Sequence, residues 1–348
     1  MNQRKLRPGV FSSYTVGGVA SGTGSRRAGL IAAVSGRSEP VWITGPAQAA
    51  EELPGEELRT LRLVLELLLR SGAGVYLCPA GEGSPEEYRA AFRRAEGEEG
   101  LDLLLCDSGE EEILSAFGDS LDMASAGRRE RIGLAAVSED GEALALARAL
   151  NRERLLLTAG TGYCGTGEDA AASPLFLAAG LAGVLLARQS PDCSLNAAVL
   201  EGLSGAAPRR TEEEVEALLA GGVTAFEVLG GRVECIRGVT TRTRTGSLPD
   251  AAYRDVSTVL IIDDVMQALR EMLRQKLSGV RSSRQSLDSI ASQVTVLLTQ
   301  KTESGLIRDW EQPRVYVDSE DSSLCIVELS FGVAHVVSRI QVQASISV

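Results

Sequence analysis

The sequence contains a single histidine, His335, in 348 residues. Histidine is the commonest general base near neutral pH and the commonest metal ligand, so most of the chain lacks both. The six cysteines are scattered without a C-x-x-C pair, which predicts neither a zinc site nor a disulfide framework. We therefore expect no metal and no cofactor, and the pattern is not typical of an enzyme.

Long apolar runs and clusters of positive charge are also missing. No stretch approaches the roughly 18 consecutive apolar residues of a membrane span, and the positive charge of residues 1–8 precedes no apolar segment. The formal net charge is -12, from 35 Lys and Arg against 47 Asp and Glu, which would repel a phosphate backbone. The sequence predicts a protein made and kept in the cytoplasm, without a nucleic-acid or membrane partner.

Nearly all of the negative charge lies in one part of the chain. Between Glu82 and Glu142 there are 17 acidic and 6 basic residues, a local charge of -11. Because these carboxylates are spread over several predicted helices, a solvated helical surface is favoured over a site for a cation or a basic partner.

From Ala28 onward, short apolar runs alternate with amphipathic stretches. The predicted strands are 28–34, 74–78, 101–106, 132–137 and 154–158, and the predicted helices between them are 57–70, 85–96, 110–126 and 141–150. This alternation is typical of a parallel α/β sheet covered by helices. Residues 174–187 are apolar on all sides and predict a buried helix that closes the domain.

A second, α+β unit is predicted from residue 209. It opens with a helix that Thr211 caps, continues with strands at 223–229, 232–236 and 238–241 and long helices at 256–277 and 284–302, and ends with strands at 314–318, 323–331 and 333–348. The predicted divisions are an arm at 1–27, an α/β middle domain at 28–208, an α+β domain at 209–338 and a terminal strand at 339–348.

Both ends of the chain read as extended strands. Residues 7–16 are β-prone and lead into a glycine-rich segment too flexible for a core, so a partner is expected to order them. At residues 339–348, apolar and polar residues alternate, as in a half-buried strand. The apolar face of that strand consists of Ile340, Val342, Ala344, Ile346 and Val348.

The segment Gly160 to Gly165 matches the dinucleotide-binding pattern G-x-G-x-x-G. However, it follows the fifth predicted strand, the next helix starts late, and no acidic residue follows at the end of a strand to hold a ribose. A flexible interdomain or surface loop is favoured. The alternative is a cytoplasmic α/β nucleotide-binding enzyme that uses this loop.

Two further patterns have ambiguous chemistry. The run from Val259 to Asp264 resembles the magnesium-binding strand of P-loop ATPases, but no phosphate-binding loop is present. A helix start, at which Asp255 or Asp263 favours the N-terminal dipole, is the preferred interpretation.

Residues 264–284 have a local charge of +3, which fits equally a solvated stripe and a docking surface for an acidic partner.

Several segments together resemble the tail sheath proteins of contractile phage tails and R-type bacteriocins. They are Arg7-Pro8-Gly9-Val10-Phe11; the helix at Ala182-Gly183 followed by Ser190 and Asn196; Thr211 to Leu219 with Gly221-Gly222-Val223; Arg237-Gly238-Val239-Thr240-Thr241; and Tyr253-Arg254-Asp255-Val256 leading to Ile261-Ile262-Asp263. Their order and spacing carry the match, whereas residues 40–150 match only by their α/β pattern. The chain is short for the family, so extra outer domains are expected to be absent.

The resemblance implies a structural subunit that forms six-membered rings stacked helically around an inner tube. Terminal arms would add strands to neighbouring subunits, and release by the baseplate would let the polymer contract and drive the tube through a target envelope without nucleotide. The implied partners are the subunit itself, the tube protein, and baseplate and terminator proteins, with assembly in the cytoplasm followed by release in a particle. The expected arm residues are Pro8, Gly9, Val10, Phe11, Tyr14, Val16 and the apolar face of 339–348, and the expected tube-facing residues are Arg270, Arg274 and Lys276.

Overall fold

A computed structural model describes residues 26–70, 74–167, 170–188, 190–192, 194–275 and 283–334. Its helices are α1 (Pro46–Glu52), α2 (Arg59–Leu69), α3 (Pro85–Gly97), α4 (Glu111–Ala126), α5 (Asp140–Leu150), α6 (Leu175–Ala187), α7 (Glu212–Ala220), α8 (Val256–Arg274) and α9 (Arg284–Glu303). Its strands are β1 (Ala28–Ala32), β2 (Val41–Ile43), β3 (Val75–Pro79), β4 (Leu103–Cys106), β5 (Ile132–Val137), β6 (Leu155–Ala159), β7 (Thr161–Cys164), β8 (Ala171–Ser173), β9 (Ala198–Val199), β10 (Gly205–Ala207), β11 (Val223–Leu229), β12 (Arg232–Arg237), β13 (Arg244–Thr245), β14 (Leu248–Pro249), β15 (Ile307–Trp310), β16 (Arg314–Val317), β17 (Cys325–Glu328) and β18 (Phe331–Val333).

The largest element is a nine-stranded sheet with the order β2-β3-β1-β4-β5-β6-β11-β12-β9. The six strands from β3 to β11 are parallel, and β2, β12 and β9 pair antiparallel at the two sides. The five strands predicted from apolar runs all lie in the parallel part, because strands covered on both faces read as continuous apolar segments. The prediction of a parallel α/β sheet is confirmed.

Helices cover both faces of this sheet. One core cluster joins the sheet to α1, α2 and α6, and a second joins it to α3, α4, α5 and α7. Helix α6 is buried along most of its length, as its uniformly apolar sequence predicts. Helix α7 begins with the predicted capping box, in which Thr211 accepts from the Glu214 amide and Glu214 accepts from the Thr211 amide.

The sheet continues across the boundary predicted at 208/209. Strand β11 lies parallel to β6, with Val223 opposite Leu157, and β12 extends the sheet further. The tight turn at Gly221-Gly222 returns the chain beside β6, and Gly222 adopts a φ of +82° that favours glycine. Composition and helix capping suggested a new unit here, but neither shows which strand a segment pairs with.

A third core cluster joins α8, from Ile261 onward, to helix α9 and to two antiparallel strand pairs, which together are called the C-terminal ribbon. In the ribbon, β15 pairs with β18 and β16 pairs with β17, both antiparallel. The prediction of one strand at 323–331 is wrong, because the structure has two shorter strands there, β17 and β18. The strand predicted at 238–241 is also wrong, because Val239 forms only an isolated bridge with Asp255.

Candidate assembly surfaces

The glycine segment 160–165 is neither a flexible loop nor a phosphate cradle. It forms β7, the central strand of a three-stranded sheet, with Gly162 opposite Ala206 of β10 on one side and Ser173 of β8 on the other. Its main chain therefore pairs with protein on both sides, whereas a phosphate loop needs amides that point at its ligand. The flexible-loop interpretation is wrong, and the nucleotide-binding alternative loses its proposed site.

Gly162 is packed tightly against α6 in this strand. A Cβ there would lie 3.0 Å from the Phe176 Cβ and 3.2 Å from the Leu177 nitrogen of α6. We expect Gly162→Ala to lower the free energy of unfolding by about 1–3 kcal/mol, since a well-packed core resists an added methyl group. Urea denaturation measures this difference.

The matched control is Gly141→Ala in α5, where an added Cβ meets no atom within 4 Å. It should be neutral or stabilising, because alanine favours a helix more than glycine does. Equal unfolding free energies for wild type and Gly162→Ala would contradict the packing argument.

At the crevice where a doubly wound sheet commonly binds ligands, described side chains bond to one another and to the main chain. It lies at the carboxyl ends of β1 and β4, where the strand order reverses. Asp107 follows β4, and its carboxylate accepts from the Ala33 amide at 3.0 Å and from the Tyr88 hydroxyl. Burial raises the pKa of both Asp107 and Tyr88. These groups satisfy one another, so the arrangement stabilises the fold rather than presenting a free acid or base.

Acidic side chains lie at the N-terminal turns of four helices, three of which begin in the acidic part of the sequence, whereas α7 lies outside it. Acidic residues occupy the first turns of α3, α4, α5 and α7, among them Glu86, Glu111, Glu142 and Glu212. Because these helices run antiparallel to the parallel strands, their N-termini share the carboxyl edge of the sheet. Negative charge there is stabilised by the helix dipoles, in agreement with the predicted solvated helical surface.

Three ion pairs fasten α8 to its surroundings. Arg154 donates two bonds to Asp263, at 2.6 and 2.7 Å, and both side chains are buried. Lys301 of α9 binds Asp264 at 3.2 Å, while burial raises the pKa of Asp264. Arg270 binds Glu130 at 2.6 Å. The helix is therefore held to the amino edge of the sheet and to α9.

These pairs correct the interpretation of the 259–264 run. Asp263 does not start a helix: it lies about two turns inside α8. Asp255 does occupy the N-cap position, but its side chain makes no cap bond and instead accepts from Arg237 at 2.7 and 2.8 Å. Tertiary partners thus account for both carboxylates, and no sequence pattern identifies those partners.

The predicted tube-facing residues do not share one environment. Arg270 is engaged by the buried Glu130 and its side chain is only 11% exposed, whereas Arg274 is exposed in the last turn of α8. Lys276 lies outside the described residues. Of the three, Arg274 is the one whose charge the described structure presents to solvent.

The C-terminal ribbon has open edges. Each of its strands pairs with one other strand within the described part of the chain. One side of the ribbon packs on α9 through the cluster that contains Ile307, Leu298 and Val333. Unpaired strand edges carry free amides and carbonyls that can accept a further strand.

The predicted arm residues themselves lie outside the described residues. They are Pro8, Gly9, Val10, Phe11, Tyr14 and Val16 at one end and Ile340, Val342, Ala344, Ile346 and Val348 at the other. Within the described ranges, every helix is too short or too polar to span a lipid bilayer. The same ranges contain no group of three or more His, Cys, Asp or Glu side chains that could hold a metal ion.

No protein-family model and no curated protein matches the chain. Solved structures do. The contracted helical sheath of the anti-feeding prophage is 13% identical, with 98% of this chain and 99% of that chain covered and a TM-score of 0.72. A sheath tail protein from Listeria innocua is 13% identical over 90% of this chain and 93% of that chain, with a TM-score of 0.70. The contracted sheath complex of an extracellular contractile injection system, PVC, is 11% identical over 100% and 99%, with a TM-score of 0.66. The chain therefore has the fold of contractile tail sheath proteins.

Proposed function

We propose that this protein is the structural subunit of a contractile sheath. It polymerises as stacked six-membered rings around an inner tube and shortens to drive that tube through a target envelope. The observation that carries the proposal is the similarity to sheath proteins along nearly the whole length of both chains. The Asp107 carboxylate and strand β7 agree with a structural role, because each is already bonded to other parts of the described chain.

Strand addition is the proposed link between subunits. The strands of the C-terminal ribbon each have an edge that no other described strand pairs with, and the sequence of 339–348 alternates as an added strand requires. Residues 7–16 supply the second arm. Main-chain bonds of this kind would keep neighbours connected while the rings change their spacing and diameter.

The remaining partners follow from the same proposal. A tube protein fills the sheath, a baseplate holds one end and releases contraction, and a terminator closes the other end. Assembly takes place in the cytoplasm, and the finished sheath leaves as part of a phage tail, a bacteriocin or another injection particle.

Electron microscopy of the purified full chain, alone and co-expressed with its tube protein, tests the proposal. Rings or striated tubes of uniform diameter are the expected result. Small discrete oligomers under all conditions, including co-expression, would contradict it.

Arg274 is the proposed contact to an acidic tube. We expect Arg274→Glu to reduce co-sedimentation of sheath with tube several-fold at low salt, and wild-type binding to weaken as salt rises, because exposed charge pairs are screened. The control is Arg93→Glu, which reverses an exposed charge on α3. Arg270→Glu is unsuitable, since it would break the buried pair with Glu130. Unchanged co-sedimentation of Arg274→Glu would reject the contact.

A further inference from the structure

Strand β2 forms one side of the large sheet, and its outer edge pairs with no other strand of the described residues. Its three residues, Val41, Trp42 and Ile43, are all apolar. An apolar edge strand readily pairs with a strand of another chain. A subunit that links to its neighbours through added strands therefore needs this edge to be blocked.

The side chain of Gln48 bonds to the main chain along this edge. Its amide nitrogen donates to the Trp42 carbonyl at 2.8 Å, and its amide oxygen accepts from the Thr44 amide at 2.9 Å. The carbonyl of one residue and the amide two residues later point to the same side of a strand. Gln48 thus makes the two bonds that an added strand would otherwise make there.

Helix capping alone does not account for this arrangement. Gln48 is the third residue of α1, and its bond to the Thr44 amide resembles one half of a capping box. The bond to the Trp42 carbonyl does nothing for the helix, because the free main-chain groups at a helix start are amides rather than carbonyls. Pro40, directly before β2, has no amide hydrogen and so cannot donate to an added strand.

The other unpaired edges of the described residues differ in form. The opposite side of the large sheet ends at β9, which has only two residues, and very short edge strands discourage pairing. The strands of the C-terminal ribbon are longer, with four paired residues in each of β16 and β17. Within the described residues, no side chain bonds to a main-chain group of β15, β16, β17 or β18. The ribbon is therefore the place where an added strand meets least obstruction.

We propose that Gln48 determines where strands join during assembly. It occupies the β2 edge and keeps the terminal segments of other copies off the large sheet, so that they add to the C-terminal ribbon. The inference rests on the proposed function for its arms, and it assigns a role in assembly to a residue outside the ribbon.

Hydrogen–deuterium exchange of the Thr44 amide in the full-length protein tests the proposal, with a synthetic peptide of residues 339–348 as the probe. We expect Gln48→Ala to speed exchange of this amide about tenfold, because it removes the acceptor. An excess of the peptide should then slow it again by pairing with the open edge. In the wild type, the peptide should leave exchange at Thr44 unchanged.

Gln48→Lys is the matched variant. Lysine also lacks the acceptor for the Thr44 amide, so exchange should be as fast as in Gln48→Ala, but its charge on the edge discourages pairing. The peptide should therefore fail to restore protection. In electron micrographs of assembling protein, Gln48→Ala should place a several-fold larger fraction of chains in irregular aggregates than the wild type, whereas Gln48→Lys should not.

A second control separates an open edge from lost stability. Ser84→Ala removes the capping box of α3 without exposing a strand edge, and it should assemble as the wild type does. Equal aggregation by Ser84→Ala and Gln48→Ala would overturn the proposal, as would alanine and lysine variants at position 48 that behave alike.

The outcomes also distinguish this proposal from the sheath function. If Gln48→Ala forms uniform sheaths and the peptide never protects Thr44, the role of Gln48 is wrong while the sheath function stands. A wild type that forms neither rings nor tubes contradicts the sheath function, whereas protection of Thr44 by the peptide in Gln48→Ala alone would still support the blocked edge.

Discussion

Asp263→Ala is expected to lower the free energy of unfolding by about 3–5 kcal/mol, because it removes the carboxylate that binds both terminal nitrogens of the buried Arg154 guanidinium. The Arg154 side chain is 2% exposed, and both of its terminal nitrogens bind the Asp263 carboxylate. Denaturant unfolding of the two proteins gives the difference directly.

Asp255→Ala is the matched control for this prediction. It removes the carboxylate at the N-cap of α8, which forms a bidentate pair with Arg237 of β12. The Arg237 and Asp255 side chains are 20% and 30% exposed. We expect a loss of about 1 kcal/mol there, since solvent screens a partly exposed pair. The combined replacement Arg154→Met with Asp263→Leu should recover most of the stability, because it removes both charges. A loss below about 1 kcal/mol for Asp263→Ala would contradict the assignment of a structural buried pair.

The same pair marks the limit of what the sequence predicts. Parallel strands such as β4 and β5 are visible as apolar runs, because helices cover both of their faces. The run before Asp263 is equally apolar yet forms a helix, since helix and buried strand cannot be separated by apolar content over so few residues. Its partner Arg154 lies 109 positions away, and nothing local identifies it.

Short elements were missed for a related reason. Strands β9 and β10 have two and three residues, too few to show an alternation, and their pairing with β12 and β7 is set by tertiary contacts. The continuation of the sheet through β11 was hidden because capping signals at Thr211 mark the start of a helix, not the start of a domain.

The sequence also predicts the assembly surfaces only in part. Alternation identifies the terminal strand at 339–348 from sequence alone, and local charge draws attention to the end of α8. Charge does not distinguish Arg270, which a buried carboxylate holds, from Arg274, which is exposed. That distinction depends on Glu130, which precedes β5 and meets α8 only in the folded chain.

Removing residues 339–348 by truncation after Ser338 is expected to abolish sheath assembly while leaving the melting temperature of the monomer within about 2 °C of wild type. The apolar face of this segment needs a hydrophobic surface, and the C-terminal ribbon has edges that no strand of the described residues covers. If the segment instead served its own subunit, Ile340, Val342 and Ile346 would each contribute about 1.5–3 kcal/mol when fully buried, and the truncation would lower the melting temperature sharply.

Point substitutions on the two faces of the segment test whether it binds as a strand with one buried face or only has to be present. Val342→Lys places a charge on the apolar face and should block assembly nearly as completely as the truncation does. Gln343→Lys, one residue away, places the same charge on the polar face and should leave assembly intact, because successive side chains of a strand point to opposite sides. Thermal melting and electron microscopy of the three variants give the readout.

Full-length sheaths from the truncated protein would show that this segment is not the link, and deletion of residues 1–24 would then be the corresponding test of the other arm. Equal assembly by the two lysine variants would mean that the segment does not bind as a strand with one buried face.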